Sequence, residues 1–127
     1  MPKKQCIPVP NAPKPGGPFS HVVRYGDLLF LAGQTGRNPA DRALAQGMAA
    51  QTRRTLENIK ALLEAAGSSL DNVLSATVYI TDMTKKTEMN EAYKEFFPTE
   101  PPVRATIGVK DLDVGVEVEI SVIAGVN

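Results

Sequence analysis

Residues 101–124 read PPVRATIGVKDLDVGVEVEISVIA, and the fold turns on how this stretch alternates. Val103, Ala105, Ile107 and Val109 alternate with Arg104, Thr106 and Gly108. Val114, Val116, Val118, Ile120 and Val122 then alternate with Gly115, Glu117, Glu119 and Ser121. A period of two gives two strands, each with its β-branched set on one sheet face and its polar set on the other. Paired as a hairpin around residues 110–113, with Val109 facing Val114, the strands place Arg104 opposite Glu119. A one-residue slip breaks that register, and so does a third strand lying between the two. In either arrangement the pattern sends a guanidinium and a carboxylate out of the face turned away from the core.

Two chemistries fit such a face. One is a solvated cross-strand ion pair worth only ~0.2–1 kcal/mol. The other is a site in which Arg104 grips a carboxylate bidentately and a glutamate handles a proton or a water. Glu117 and Glu119 share a face, and spacing alone does not say which of them is free for that work.

Working outward, the 127 residues amount to one domain with enough chain to bury a core unaided. Fourteen basic and fourteen acidic residues cancel, which gives no electrostatic case for binding nucleic acid or an anionic membrane. Near-zero net charge also favours self-association. Cys6 is the single cysteine and His21 the single histidine. That excludes an internal disulfide and any cluster with metal-ligand spacing, and it makes His21 a structural polar residue before a catalyst. No apolar run is long enough to span a membrane, and residues 1–4 lead into prolines, so a cytoplasmic protein is expected.

Residues 1–18 hold six of the ten prolines and read as an N-terminal arm, with residues 19–127 forming the domain. Residues 20–25 and 28–34 are strands about a Gly26-Asp27 turn, and the second, LLFLAGQ, is apolar on both faces. Ala49, Thr52, Leu56, Ile59, Leu63 and Ala66 then mark one stripe of a long helix that stops at Gly67. Residues 73–81 form a strand. Asp82 or Thr84 caps a second helix with Met89, Tyr93 and Phe96 inward, ended by Pro98. Asn90 lies off that stripe without a structural task. The order β-β-α-β-α-β-β predicts an α+β two-layer domain: a mixed, largely antiparallel sheet with both helices on one face. The other face needs a cover, and a symmetric oligomer with sites in its seams supplies one.

The segments GGPFSHVV, LLFLAGQTG, TVYITDM, MNEAYKEFF, PPVRAT and VEISVIA, in this order, closely resemble the RidA (YjgF-type) reactive intermediate deaminase family, also called the L-PSP endoribonuclease family. The resemblance runs from about Gly17 to Ala124. It implies a chorismate-mutase-like fold, a homotrimer with three sites between subunits, and hydrolysis of 2-aminoacrylate or 2-iminopropionate to the keto acid and ammonia without metal or cofactor. Within it, Arg104 matches the arginine that holds the substrate carboxylate, and Glu119 the glutamate that activates water. Asn90 and Gly33 match positions at the pocket. Three positions depart from the deaminase pattern: Phe19 replaces a tyrosine, Ala32 a serine and Thr106 a cysteine. These losses of small polar contacts admit two alternatives, a larger imine of the aminomuconate kind or a non-enzymatic regulator that binds small carboxylates. The RNA-cleaving reading suggested by the second family name finds no basic or aromatic stripe to support it.

Overall fold

The computed structural model describes residues 1–127. Five strands were expected and the arm contributes a sixth: β1 (Gln5–Cys6), β2 (Val22–Tyr25), β3 (Leu28–Leu31), β4 (Val73–Ile80), β5 (Val103–Gly108) and β6 (Val118–Gly125) form one six-stranded sheet. Two helices, α1 (Met48–Ala65) and α2 (Lys86–Lys94), complete the α+β architecture. The spatial order is β1-β2-β3-β6-β4-β5. All neighbours are antiparallel except β4 and β5, which run parallel and need the crossover that α2 provides. The Pro-rich arm meets the sheet at its edge, where Gln5 pairs with Arg24 and Cys6 with Val23. Ile7, Val9 and Ala12 then pack against the core.

The core lies between the helices and one sheet face. Val22, Leu29, Leu31, Ala76, Val78, Ile80, Val118, Ile120 and Val122 meet Leu56, Ile59, Leu63, Met89 and Tyr93, all buried. On α2 the inward stripe continues to Phe97, and Phe96 is only half-buried. Polar groups that go inside with α1 are satisfied locally. Thr52 Oγ1 donates to the Met48 carbonyl and Thr55 Oγ1 to that of Gln51, both at 2.7 Å. Buried Gln51 instead ties down the loop before β6: its Nε2 donates to the Gly115 carbonyl at 3.0 Å and its Oε1 accepts from the Glu117 amide at 2.8 Å.

That loop corrects the hairpin. β4 lies between β5 and β6, pairing Ala76 with Arg104 on one side and Tyr79 with Glu119 on the other. Val114 is 94% exposed and Gly115 has φ +80°, so residues 109–117 form a connection and β6 begins only at Val118.

The faces of β5 are corrected as well. Arg104, Thr106 and Gly108 stand in line with Ala76, Val78 and Ile80, on the helix side. A Cβ on Gly108 would lie 2.9 Å from Met83 Cγ, the residue that precedes α2. Val103, Ala105 and Ile107, read above as core, face the open side instead, with Val103 71% exposed. Register gives the open face three rows: Phe30–Ile123–Ser75–Val103, Ser121–Thr77–Ala105 and Glu119–Tyr79–Ile107. Leu28 and Phe30 are also partly bare there, which explains why β3 is apolar on both sides.

Candidate functional site

The seven residues singled out from sequence fall into two groups. Phe19, Ala32, Gly33 and Glu119 surround the end of β3. Arg104, Thr106 and Asn90 lie where β5 meets α2.

The first group is built by a break in the ladder. β3 ends at Leu31, and pairing with β6 resumes at Gln34, whose amide and carbonyl exchange hydrogen bonds with Ile120 at 2.8 and 3.0 Å. Ala32 and Gly33 bulge between these points, and Gln34 Nε2 donates to the Ala32 carbonyl at 3.0 Å. The bulge brings the Gly33 backbone against the Glu119 carboxylate. A Cβ at position 33 would stand 3.0 Å from Glu119 Cδ and would overlap its Oε2, so only glycine permits this approach. Glu119 thereby lines a cavity of about 340 Å³ together with Phe19, His21, Gly33 and Gln34. The N-terminal arm closes one side of that cavity through residues between Val9 and Gly16, and α1 contributes Asn58 and Leu62.

Glu119 is partly buried and forms no ion pair. Burial pushes its carboxyl above the usual glutamate range, and the negative charge of Asp113 in the same cavity pushes it further. Glu117 is engaged elsewhere, 2.8 Å from Lys85 Nζ. The two glutamates that sequence left equivalent therefore differ: one is neutralised by a lysine, and the other is free and made more basic.

His21 is held by the arm, with Nε2 2.6 Å from the Pro13 carbonyl and its ring edge-on to Phe19 at 6.3 Å between centroids. Its structural reading agrees with that contact. The arm, Asp113 and Asn58 were not legible as cavity residues, because nothing in their local sequence marks them.

The second group is centred on Arg104, which is exposed on an edge strand and forms no ion pair. Its guanidinium lies over the Tyr93 ring, 4.8 Å from the centroid. Tyr93 Oη, Asn90 Oδ1 and Thr106 Oγ1 are all buried without a hydrogen-bond partner. Three buried polar atoms without partners thus share the β5–α2 side with a guanidinium that has no ion pair, and such atoms are rarely left unpaired. Desolvation raises the Tyr93 hydroxyl above its ordinary range, and Arg104 opposes this.

Within one chain the two groups do not meet. Arg104 is on the helix face of β5, and Glu119 on the open face of β6, with β4 between them. Two strand spacings separate them by about 10 Å across the sheet, and three residues of offset add about 10 Å along it.

Comparison with known proteins accounts for the order of these elements. The sequence model of the endoribonuclease L-PSP family matches residues 9–126. A RutC family protein of Pyrococcus horikoshii is 45% identical over 122 residues, 95% of this chain and 97% of that protein. A protein of Dermatophagoides farinae named 2-iminobutanoate/2-iminopropanoate deaminase is 33% identical, over 94% of each chain. Among solved structures, Escherichia coli TdcF with bound serine superposes with a TM-score of 0.90 at 33% identity, over 97% of this chain and 99% of that one. No helix here is long and apolar enough to cross a membrane. With the matched model spanning nearly its whole length, this chain belongs to the RidA (YjgF-type, L-PSP) family.

Proposed function

We infer that the protein hydrolyses short-lived enamines and imines of the 2-aminoacrylate/2-iminopropionate type to a 2-keto acid and ammonia. The observation that carries this reading is Glu119: an unpaired carboxylate, raised in pKa, held against a glycine backbone in a cavity. Membership of a family that includes a named imine deaminase, and a relative solved with an amino acid bound, support it.

The chemistry asks little of the protein. An enamine takes a proton at its terminal carbon to become the protonated imine. Arg104 fixes the neighbouring carboxylate by two parallel hydrogen bonds and so sets the attack geometry. Glu119 accepts a proton as a water oxygen adds to the imine carbon. It then returns that proton to the nitrogen of the resulting carbinolamine. The C–N bond breaks as the hydroxyl oxygen forms the carbonyl, and the hydroxyl proton passes to the departing ammonia, which leaves as ammonium. A carboxylate of raised pKa is the better base for the first transfer and still the acid for the second. Asn90 and Thr106 supply the remaining polar contacts on the Arg104 side, with Phe19, Ala32 and Gly33 as the wall on the Glu119 side. No metal or organic cofactor enters.

Because Arg104 and Glu119 stand on opposite faces, this mechanism takes them from different copies. A homotrimer that covers the open faces supplies that arrangement, with one site in each seam. The half-bare row of Phe30, Ile123 and Val103 is the kind of surface such a contact buries.

The test couples the protein to a lyase that releases 2-aminoacrylate and follows pyruvate and ammonia. Acceleration by the wild type, absent in Arg104→Ala and reduced about 10²–10⁴-fold in Glu119→Gln, is the expected result. No acceleration by the wild type, with keto-acid binding intact in Glu119→Gln, would instead leave a carboxylate-binding regulator.

A further inference from the structure

The cavity that holds Glu119 also holds two arginines that the mechanism above does not use. Arg37, half-buried, and Arg42, exposed at the mouth, line it from the connection between β3 and α1. The ion pairs of the chain engage Arg24, Arg53, Lys85 and Lys94, and neither of these two. The only acids lining the cavity are Glu119 and Asp113, and neither is within ion-pairing distance of a cation.

Their loop is made rigid by its own polar side chains. Asn38 Oδ1 accepts from the Ala40 amide at 2.8 Å, and Asp41 Oδ1 from the Ala43 amide at 2.9 Å. Arg37 and Leu44 form a bridge, and Arg37 Nη1 donates to the Arg42 carbonyl at 3.1 Å. From α1, Asn58 Nδ2 donates to the carbonyls of Thr35 and Arg37 at 3.0 and 2.8 Å. Arg54 Nε in turn donates to Asn58 Oδ1 at 3.2 Å. Arg42 itself is held at φ +64°, a left-handed conformation that is costly for a side chain of its size. Backbone strain of this sort persists where surrounding structure enforces it, and it clusters at ligand sites.

We propose that Arg37 and Arg42 form a second anion subsite, so that the preferred substrate is an imine carrying a distal carboxylate, an iminodicarboxylate. This rests on the deaminase reading of the same cavity and narrows its substrate class. Arg104 of another copy takes the carboxylate beside the imine carbon, and Arg37 and Arg42 take the far one. Two facts about the cavity suit a longer substrate. Its volume of about 340 Å³ exceeds what a three-carbon imine fills. Its lining offers neutral polar groups such as Gln34, Thr35 and Asn58, and Arg37 and Arg42 are its only two cationic side chains outside the histidine, so they are the partners suited to a second charged group. They also offset the repulsion a dianion would meet from Glu119 and Asp113.

The experiment generates 2-iminopropionate and 2-iminoglutarate with amino-acid oxidases and compares kcat/KM. Binding of pyruvate and 2-oxoglutarate is measured in parallel by calorimetry. The wild type is expected to favour the dicarboxylic member about tenfold in both, the scale of a partly exposed ion pair or two. The Arg37→Gln/Arg42→Gly double variant loses that preference and keeps turnover of 2-iminopropionate. Arg42→Gly alone, whose glycine suits the φ at that position, halves the preference on a logarithmic scale and covers the case in which the double variant fails to fold. Equal handling of the two acids by the wild type, or a preference untouched by both variants, overturns the subsite. If no imine is turned over, the deaminase reading fails. The binding comparison then decides the subsite alone: tighter 2-oxoglutarate binding that the variants abolish upholds it, and equal binding overturns it.

Discussion

β5 and β6 carry the same alternation in sequence and have opposite fates. In β6 every second residue from Val118 to Ala124 is buried, because β3 and β4 flank the strand and α1 covers it. In β5 the open face is bare, with Val103 and Ile107 71% and 42% exposed, and the helix face is only partly covered: Thr106 is half-buried while Arg104 stays exposed. The hydrophobic pattern is equal and the topology is not, since β5 is the last strand of the sheet. An edge strand with bare β-branched residues is unfinished within one chain. The proposed catalytic pair is divided in the same way, with Glu119 on the finished strand and Arg104 on the unfinished one. What β6 obtains from its neighbours, β5 would obtain from another copy in the assembly proposed above.

The strongest test of that contrast is complementation. Arg104→Ala and Glu119→Gln chains, each inactive by itself, are unfolded together and refolded as a mixture. Random assembly leaves about a quarter of the seams with both an intact arginine and an intact glutamate, if each seam draws one from either side. Activity should therefore climb from background to about a quarter of the wild-type value in the coupled assay. A mixture as inactive as its components would place both residues in one chain's site and break the comparison.

Gly33 comes next. In Gly33→Ala the new Cβ displaces the Glu119 carboxylate, and a misplacement of about 1 Å costs on the order of 10²-fold in rate. Because the clash is with the flexible end of a side chain, the fold should hold, with a melting temperature near that of the wild type. Unchanged kcat would mean that the position of the Glu119 carboxylate does not matter to turnover.

Stability separates the strands directly. Ile120→Ala in β6 removes a fully buried side chain and should cost about 2–5 kcal/mol in chemical denaturation. Ile107→Ala in β5 should change the protomer's own stability by about 0.5 kcal/mol or less. Whatever it does cost should depend on protein concentration, as for a residue buried only on assembly. A concentration-independent loss as large as that of Ile120→Ala would make β5 part of the protomer core.

These outcomes follow the line between what sequence could and could not give. The helices, their inward stripes and the burial of Val118, Ile120 and Val122 were legible because each is a periodicity within a continuous segment. The identity of a strand's neighbour is not local. Nothing in residues 103–108 records that β4 inserts beside them, so the alternation was read with the wrong face inward and Arg104 on the wrong side. Val114 and Val116 extended the β6 pattern on paper, but Gly115 turns the backbone there and Gln51, more than sixty residues away, holds the loop. The resemblance named Arg104 and Glu119 as partners, whereas the sheet register puts them on opposite faces within one chain.

The smallest effect concerns pH and again belongs to the Glu119 side alone. Burial and then Asp113 raise the Glu119 carboxyl above its unfolded value, so the folded chain favours the protonated form. For such a group the sign is fixed. Its stabilising contribution is present below the unfolded pKa and is lost as pH rises through the higher, folded one. At neutral pH the ionised Glu119 is thus a cost to stability, and Glu119→Gln should melt slightly above the wild type at pH 7 while losing the turnover proposed above. The acidic limb of kcat should likewise lie above the pH at which an ordinary glutamate ionises, since only the carboxylate accepts a proton from water. Asp113→Asn removes the smaller of the two causes, so it should move that limb downward without abolishing activity. The limb of an Arg104→Lys variant should stay in place, because lysine keeps the positive charge that residue 104 of another copy would bring across a seam. A limb that Asp113→Asn leaves fixed and Arg104→Lys displaces would show that the partner's arginine, and not the cavity, sets the basicity of Glu119.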